Sequence, residues 1–299
     1  MVRLVLIIFF VYTIILSIGS INCIDNNNLV TNQAALFVFG DSLFDAGNNN
    51  YINGPEKAWL PLIPPNLQPD NGNNQFTYGV SFASAGAGAL AESFLGMVIN
   101  LGTQLNNFKD VEKSLRSELG DAETKRVFSR AVYLFHIGAN DYFYPFSANS
   151  STFQSNSKEK FVDFVIGSCF KPAAELIDMH NKKFPDVLRR LQRQLSGFRY
   201  ALHDYHTSLS ERINSPAKYG FKEGKKACCG SGPLRGINTC GYRIGPSQGY
   251  DLCENVTDYL FFDSSHLTEK AHRQIAELIW NGPPNVTRPY NLKALFELN

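Results

Sequence analysis

The chain has 299 residues, 44% of them hydrophobic, which is enough to bury the core of one sizeable α/β domain. Lys and Arg total 28 against 27 Asp and Glu, with no basic block and no aromatic residues interleaved with arginine or lysine, so a nucleic-acid partner is excluded as a main role.

Arg3 precedes an apolar run from Leu4 to Ile18 interrupted only by Thr13 and Ser17, then small residues and a polar stretch from Asp25 to Asn28. That order reads as a secretory leader over residues 1–23, cut between Gly19 and Asp25. The run holds 15 residues, short of the roughly 20 that a bilayer span needs, so no stable membrane span is expected. The expected location is extracellular. Secretion makes Asn149, Asn255 and Asn285 candidate glycan acceptors, because each opens an Asn-x-Ser/Thr tripeptide. It also favours disulfides for Cys228, Cys229, Cys240 and Cys253, which share a Gly-rich loop without zinc-ligand spacing. Cys23 leaves with the leader, and Cys169 has no obvious partner.

A strand is predicted at Ala35–Phe39, running into the turn Gly40-Asp-Ser42. An Asn- and Pro-rich loop, 48–74, follows, and then a small, flexible stretch from Gly79 to Leu90. The spacing of Leu105, Phe108, Val111 and Leu115 predicts a helix over Thr103–Leu119. Ala131–Ile137 reads as a buried strand ending in Gly138-Ala-Asn-Asp141. Helices are expected at 161–180 and 186–195, a strand at Phe198–Leu202 and a helix at 209–213. After the cysteine loop, Tyr259–Phe262 reads as a strand leading into Asp263-Ser-Ser-His266. A last helix runs to Trp280, capped by Thr268, with Ala271, Ile275, Leu278 and Ile279 inward. Strands alternating with helices imply one α/β domain over 34–299 with a mostly parallel sheet covered on both faces.

Three of these strands end in residues suited to one chemistry. In open α/β sheets ligands bind beyond the carboxyl ends of the strands. Ser42 offers a hydroxyl there, but a serine is a poor nucleophile until an imidazole takes its proton. His266 is that candidate, and Asp263, three residues earlier, can lie against Nδ1 of its ring and leave Nε2 for Ser42. Asn140 and the amides of a glycine-rich stretch around Gly86 supply donors for a tetrahedral oxyanion, each worth ~3 kcal/mol of barrier. His136, His180, His203, His206 and His272 stand outside any such block and read as core or surface histidines.

Four separated blocks, in order, resemble the plant GDSL-motif esterase/lipases of the SGNH hydrolase superfamily. They are Phe39-Gly-Asp-Ser-Leu43 with Asp45-Ala-Gly-Asn-Asn-Asn50, then Gly79-Val-Ser-Phe-Ala-Ser-Ala-Gly-Ala-Gly88, then Ile137-Gly-Ala-Asn-Asp-Tyr142, and Phe262-Asp-Ser-Ser-His-Leu267. Lys218-Tyr-Gly-Phe-Lys-Glu223, Ala227-Cys-Cys-Gly230 and Asn291-Leu-Lys-Ala-Leu-Phe-Glu297 are similar to the plant branch. The resemblance implies a three-layer α/β/α sandwich with a flavodoxin-like sheet. It also implies a Ser42, Asp263, His266 triad, an oxyanion hole from Ser42, Gly86 and Asn140, no metal or organic cofactor, and a lipid or other small ester as substrate. The chain departs from the family pattern at two joins. Ile52-Asn-Gly-Pro55 replaces a longer segment, and Gly167-Ser168 stands where a strand and a cysteine-bearing loop are expected. Those gaps keep two other outcomes in view: a non-catalytic or unfolded family member serving as a binding or defence module, and an acyltransferase built on the same acyl-enzyme.

Overall fold

A computed structural model describes residues 9–18, 34–52, 63–68, 75–89, 91, 93–141, 170–236, 240 and 249–298. The joins at Asn53–Pro55 and Gly167–Cys169, Cys169 itself and Asn149 lie outside the described residues. The chain divides into two compact units, Met1–Leu202 with Ala294–Asn299, and His203–Lys293.

The first unit is built on a sheet. Strand β1 (Phe9–Ile18) falls within the segment read as a leader. It is followed by β2 (Leu36–Gly40), β3 (Gly79–Ser81), β4 (Val132–Ile137) and β5 (Phe198–Asp204), laid side by side as β3-β2-β4-β1-β5. β2 runs parallel to β3, with Leu36 opposite Gly79, and parallel to β4, with Gly40 opposite His136. Leaving β1 aside, the order is second, first, third, last, which is the flavodoxin arrangement with its fourth place vacated. β1 occupies that place and runs antiparallel to β4.

Every residue of β4, and all of β2 after Leu36, is buried, as expected of strands covered on both faces. One face is aromatic: Phe39 stacks on Phe82 and Phe135 with ring centroids 4.9 and 4.8 Å apart. Phe37 lies between Phe128 and Tyr133. Helix α1 (Leu101–Arg130) covers this face. Its Phe108 ring meets Phe37 edge-on at 5.5 Å, and Val111 and Leu115 are buried beside it, the face its periodicity predicted. The predicted end at Leu119 marks a real break, because Gly120 takes φ 80, ψ 166 inside the helix, after which the chain turns helical again to Arg130. Helix α2 (Phe170–Gln194) runs through Pro185, where the sequence suggests two helices. Burial of Phe184 and Leu188 on either side outweighs the single backbone hydrogen bond a proline forfeits. The stretch from Gly79 that reads as flexible begins with β3, and its Val80, Phe82, Ala83, Ser84 and Ala87 are fully buried.

The second unit begins with the last residues of β5 and helix α3 (Tyr205–Asn214), capped by Asp204. It continues through β6 (Cys229–Gly230), β7 (Asp251–Leu252), helix α4 (Glu269–Asn281) and β8 (Thr287–Pro289); helix α5 (Leu292–Glu297) follows. The Thr268 side chain caps α4 by accepting from Ala271 N–H, and Ala271, Ile275 and Ile279 are buried. The four loop cysteines pair as Cys228–Cys253 and Cys229–Cys240. Tyr259–Phe262 is not the regular strand its apolar run suggests. It makes isolated bridges, and its carbonyls accept from the cysteine loop, with Cys228 N–H on Phe261 O and Cys229 N–H on Phe262 O. The disulfide-bound loop, not a sheet, is the surface this run packs on. No described helix is long and apolar enough to cross a membrane.

Candidate active site

Ser42 is half-buried in the turn that closes β2. Gln104 of α1, wholly buried, grips the preceding Gly40 from both sides: its Oε1 accepts from Gly40 N–H (3.0 Å) and its Nε2 donates to Gly40 O (2.9 Å). Only glycine fits there, since a Cβ would fall 2.2 Å from His136 O. Asp41 N–H then donates to His136 O, and Phe44 N–H donates back to Asp41 O, closing the turn around Ser42.

Gly86 follows β3, the neighbour of β2 on its other side. Ser84 N–H donates to Gly40 O, and Ala87 N–H to Ser84 O, so Ser84–Ala87 form a tight turn with Gly86 third. Its φ of 85° is the left-handed value this position takes in a type II turn. Asn140 follows β4, and its Nδ2 donates to Ala87 O at 2.9 Å. Asp141 beside it accepts from Ala89 N–H and from Ser93 Oγ, both at 2.6 Å. The Gly86 loop and the Asn140 loop are thus stitched together, and Ser42, Gly86 and Asn140 all stand at the carboxyl ends of three adjacent parallel strands.

Asp45 and Asn49, three and seven residues after Ser42, hold the Gly86 loop as well. Asp45 Oδ1 accepts from Gly47 and Asn48 N–H, and its Oδ2 from Ala85 N–H at 2.9 Å. Burial pushes the Asp45 carboxyl up, partly opposed by these backbone donors. Asn48 Nδ2 donates to Ser81 O and Ala83 O, and Asn49 Nδ2 donates to Ala85 O. Residue patterns give no roles to Gln104, Asp45, Asn49 or Asp141. The one available signal was the run of consecutive asparagines in an otherwise apolar neighbourhood, since buried amides must find partners.

In the second unit Asp263 and His266 form a closed loop. Asp263 Oδ1 accepts from Ser265 and His266 N–H at 2.8 and 2.7 Å, and Phe262 N–H donates to His266 O. The His266 ring presents Nδ1 to both carboxylate oxygens, at 3.0 and 3.1 Å. Burial works to raise the buried Asp263 carboxyl, but the His266 ring and the loop N–H groups together hold it below its ordinary value. Of the other histidines, His136 and His203 are buried, His272 is half-buried and His206 is exposed. Asn255 lies in an exposed turn, accepting from Thr257 N–H and Oγ1. Asn285 is exposed, whereas Thr287 of its tripeptide is buried with its hydroxyl on Leu278 O.

A mostly parallel α/β sheet with a Gly-Asp-Ser turn at one strand end, and separately an Asp–His pair in a tight loop, are features that fit an ester hydrolase of the GDSL type. The family described as GDSL-like lipase/acylhydrolase matches residues 36–168 and 155–279, and the chain belongs to it. It is similar to GDSL esterase/lipase 3 of Arabidopsis thaliana, 80% identical over 100% of this chain and 99% of the relative. GDSL esterase/lipases 1 and 2 of the same plant are 62% and 60% identical, each over 99% of both chains. The first alignment spans 364 positions against 299 residues, so about 65 positions of that relative have no counterpart in this chain. The two family matches overlap at 155–168, a range that takes in the Gly167-Ser168 join.

Proposed function

We propose that this esterase/lipase cleaves carboxylic esters, lipid esters among them, through a Ser42–His266–Asp263 triad and an acyl-enzyme, with the two compact units acting as one catalytic domain. The observation that carries the reading is the Asp263–His266 pair. A carboxylate on Nδ1 fixes the ring tautomer that leaves Nε2 as proton acceptor and stabilises the imidazolium that forms. In this reading His266 Nε2 takes the Ser42 Oγ proton as the oxygen attacks the acyl carbon. The N–H groups of Ser42 and Gly86 and the Asn140 amide hold the negative oxygen. Asn140 has one amide hydrogen committed to Ala87 O and a second to offer. His266 then returns the proton to the departing alcohol, and water, deprotonated by the same ring, releases the acid.

Secretion through the 1–23 leader is part of the same proposal, with glycans on Asn255 and Asn149. The exposed turn at Asn255 suits a glycan in the folded protein, whereas Asn285 would have to be modified before Thr287 is buried. The test is a fluorophosphonate probe on the purified protein. Labelling of Ser42, lost in Ser42→Ala without change in circular dichroism, is the expected result. A cooperatively melting protein that takes no label would instead be a binding module, a reading favoured by the 65 missing positions.

A further inference from the structure

We infer that Asn49 is a positioning residue that selects which way the Ala85–Gly86 peptide faces, and so whether Gly86 N–H points at the reacting oxygen. The inference rests on the proposed use of Gly86 as an oxyanion donor. In the four-residue turn Ser84–Ala87, that peptide is the central one. Turns of type I and type II differ by rotation of this central peptide, which reverses its C=O and N–H while moving the rest of the chain little. The φ of 85° at Gly86 belongs to one of the two states, and glycine, lacking a Cβ, can populate both. Something outside the turn must therefore choose.

Asn49 does so with a single bond. Its Nδ2 donates to Ala85 O at 3.0 Å. Because the peptide is planar and trans, fixing that carbonyl toward Asn49 aims Gly86 N–H the opposite way. The flipped state would point an N–H at the amide donor and leave both unsatisfied in a buried site, since Asn49 is 0% exposed. The Asn49 side chain is itself fixed. Ser84 Oγ donates to its Oδ1 at 2.6 Å and accepts from Ile99 N–H at 3.0 Å, which leaves Nδ2 as the only edge facing Ala85. The residue before the pivot is held independently through Ala85 N–H on Asp45 Oδ2. Asn49 thus acts one peptide away from the substrate and touches none of the reacting atoms.

The test compares wild type, Asn49→Ala and Asn49→Asp with a p-nitrophenyl ester and a fluorophosphonate. Labelling of wild type at Ser42 establishes the nucleophile first, so a later failure falls on the link between Asn49 and Gly86 and not on the serine hydrolase reading. Removing an oxyanion donor costs 10²–10³ in kcat, and a peptide free to flip loses part of that, so both variants should lose about 10- to 100-fold in kcat with KM within about 2-fold. Their labelling rate should fall by the same factor. Asn49→Asp is the sharper variant, because it keeps the shape and replaces the donor with an oxygen facing Ala85 O. Where either variant fails to melt cooperatively, Ser84→Ala, which keeps the Asn49 donor while freeing its oxygen and Ile99 N–H, carries the test. A kcat loss at constant KM upholds the role. Unchanged kcat, or a change confined to KM, overturns it.

Discussion

His136 Nδ1 lies 3.1 Å from Asp41 Oδ1, and both side chains are buried, at 5% and 1% exposure. The pair joins the residue before the nucleophile candidate to the strand that leads to Asn140. Asp41 Oδ1 also accepts from Leu43 N–H, on the far side of Ser42, and the Phe44 ring stands 5.6 Å from the imidazole. His136→Ala leaves a buried carboxylate without its side-chain partner. The expected loss is about 1–3 kcal/mol in urea unfolding, with a slower fluorophosphonate reaction at Ser42 because only the backbone bond from Asp41 N–H to residue 136 still ties the turn to β4. His136→Asn, which can keep a donor toward Asp41, is expected to lose less.

Asp263 gives a pH dependence whose sign is set. Its carboxyl lies below the ordinary 3.8 in the folded protein. A carboxylate lowered by folding contributes stability that is fully present above its unfolded pKa and is lost as pH falls through the folded one. Asp263→Asn should therefore melt below wild type at neutral pH, and the gap should close as pH drops below about 4. Melting curves of both proteins between pH 7 and 3 check this; a gap that widens in acid contradicts it.

The Cys228–Cys253 bond closes a loop of 25 residues, long enough for a stabilisation of about 3 kcal/mol from restriction of the unfolded chain. That loop also donates to the Phe261 and Phe262 carbonyls, just ahead of Asp263. Reduction, or the double variant Cys228→Ser with Cys253→Ser, is expected to lower the melting temperature and to reduce ester turnover, because the loop that carries Asp263 loses its support. Turnover followed during titration with a dithiol checks it.

The strands at β2 and β4 and the inner face of α1 were legible because continuous apolar runs and a 3.6-residue period leave few alternatives. Three of the four chemistry-bearing blocks were legible as short strings because each joins an apolar run to turn residues, whereas the block around Gly86 read only as small, flexible and rich in glycine. What lay beyond pattern was the way those strings are held. Gln104 reaches Gly40 across 64 positions, and Asn49 reaches Ala85 across 36. Such bonds satisfy buried polar groups one by one and have no period to detect. Tyr259–Phe262 misled for a related reason, since an apolar run states only that it is buried and not whether a sheet or a disulfide-bound loop covers it.

The last prediction concerns β1. With β1 set aside, the strands keep a flavodoxin order with one place between β4 and β5, and the segment normally expected to supply that strand is the one shortened at Gly167-Ser168. Phe9–Ile18 takes the place instead, pairing Ile14 with Phe135 and Ser17 with Val132. If the leader is removed on secretion, β4 and β5 lose that neighbour, and their buried backbone groups lose their ladder partners, each worth about 0.5–1.5 kcal/mol net. Several such losses are comparable with the whole net stability of ~5–15 kcal/mol of an ordinary domain. A chain beginning at Ile24 is therefore expected to melt at a markedly lower temperature, or without a cooperative transition, when compared with the full chain by calorimetry. Hydrogen exchange should locate the loss in Val132–Ile137 and Phe198–Leu202, with Leu36–Gly40 less affected because β3 and β4 still flank it. Equal melting of the two forms, with equal protection in β4, would mean that the sheet does not depend on the N-terminal segment.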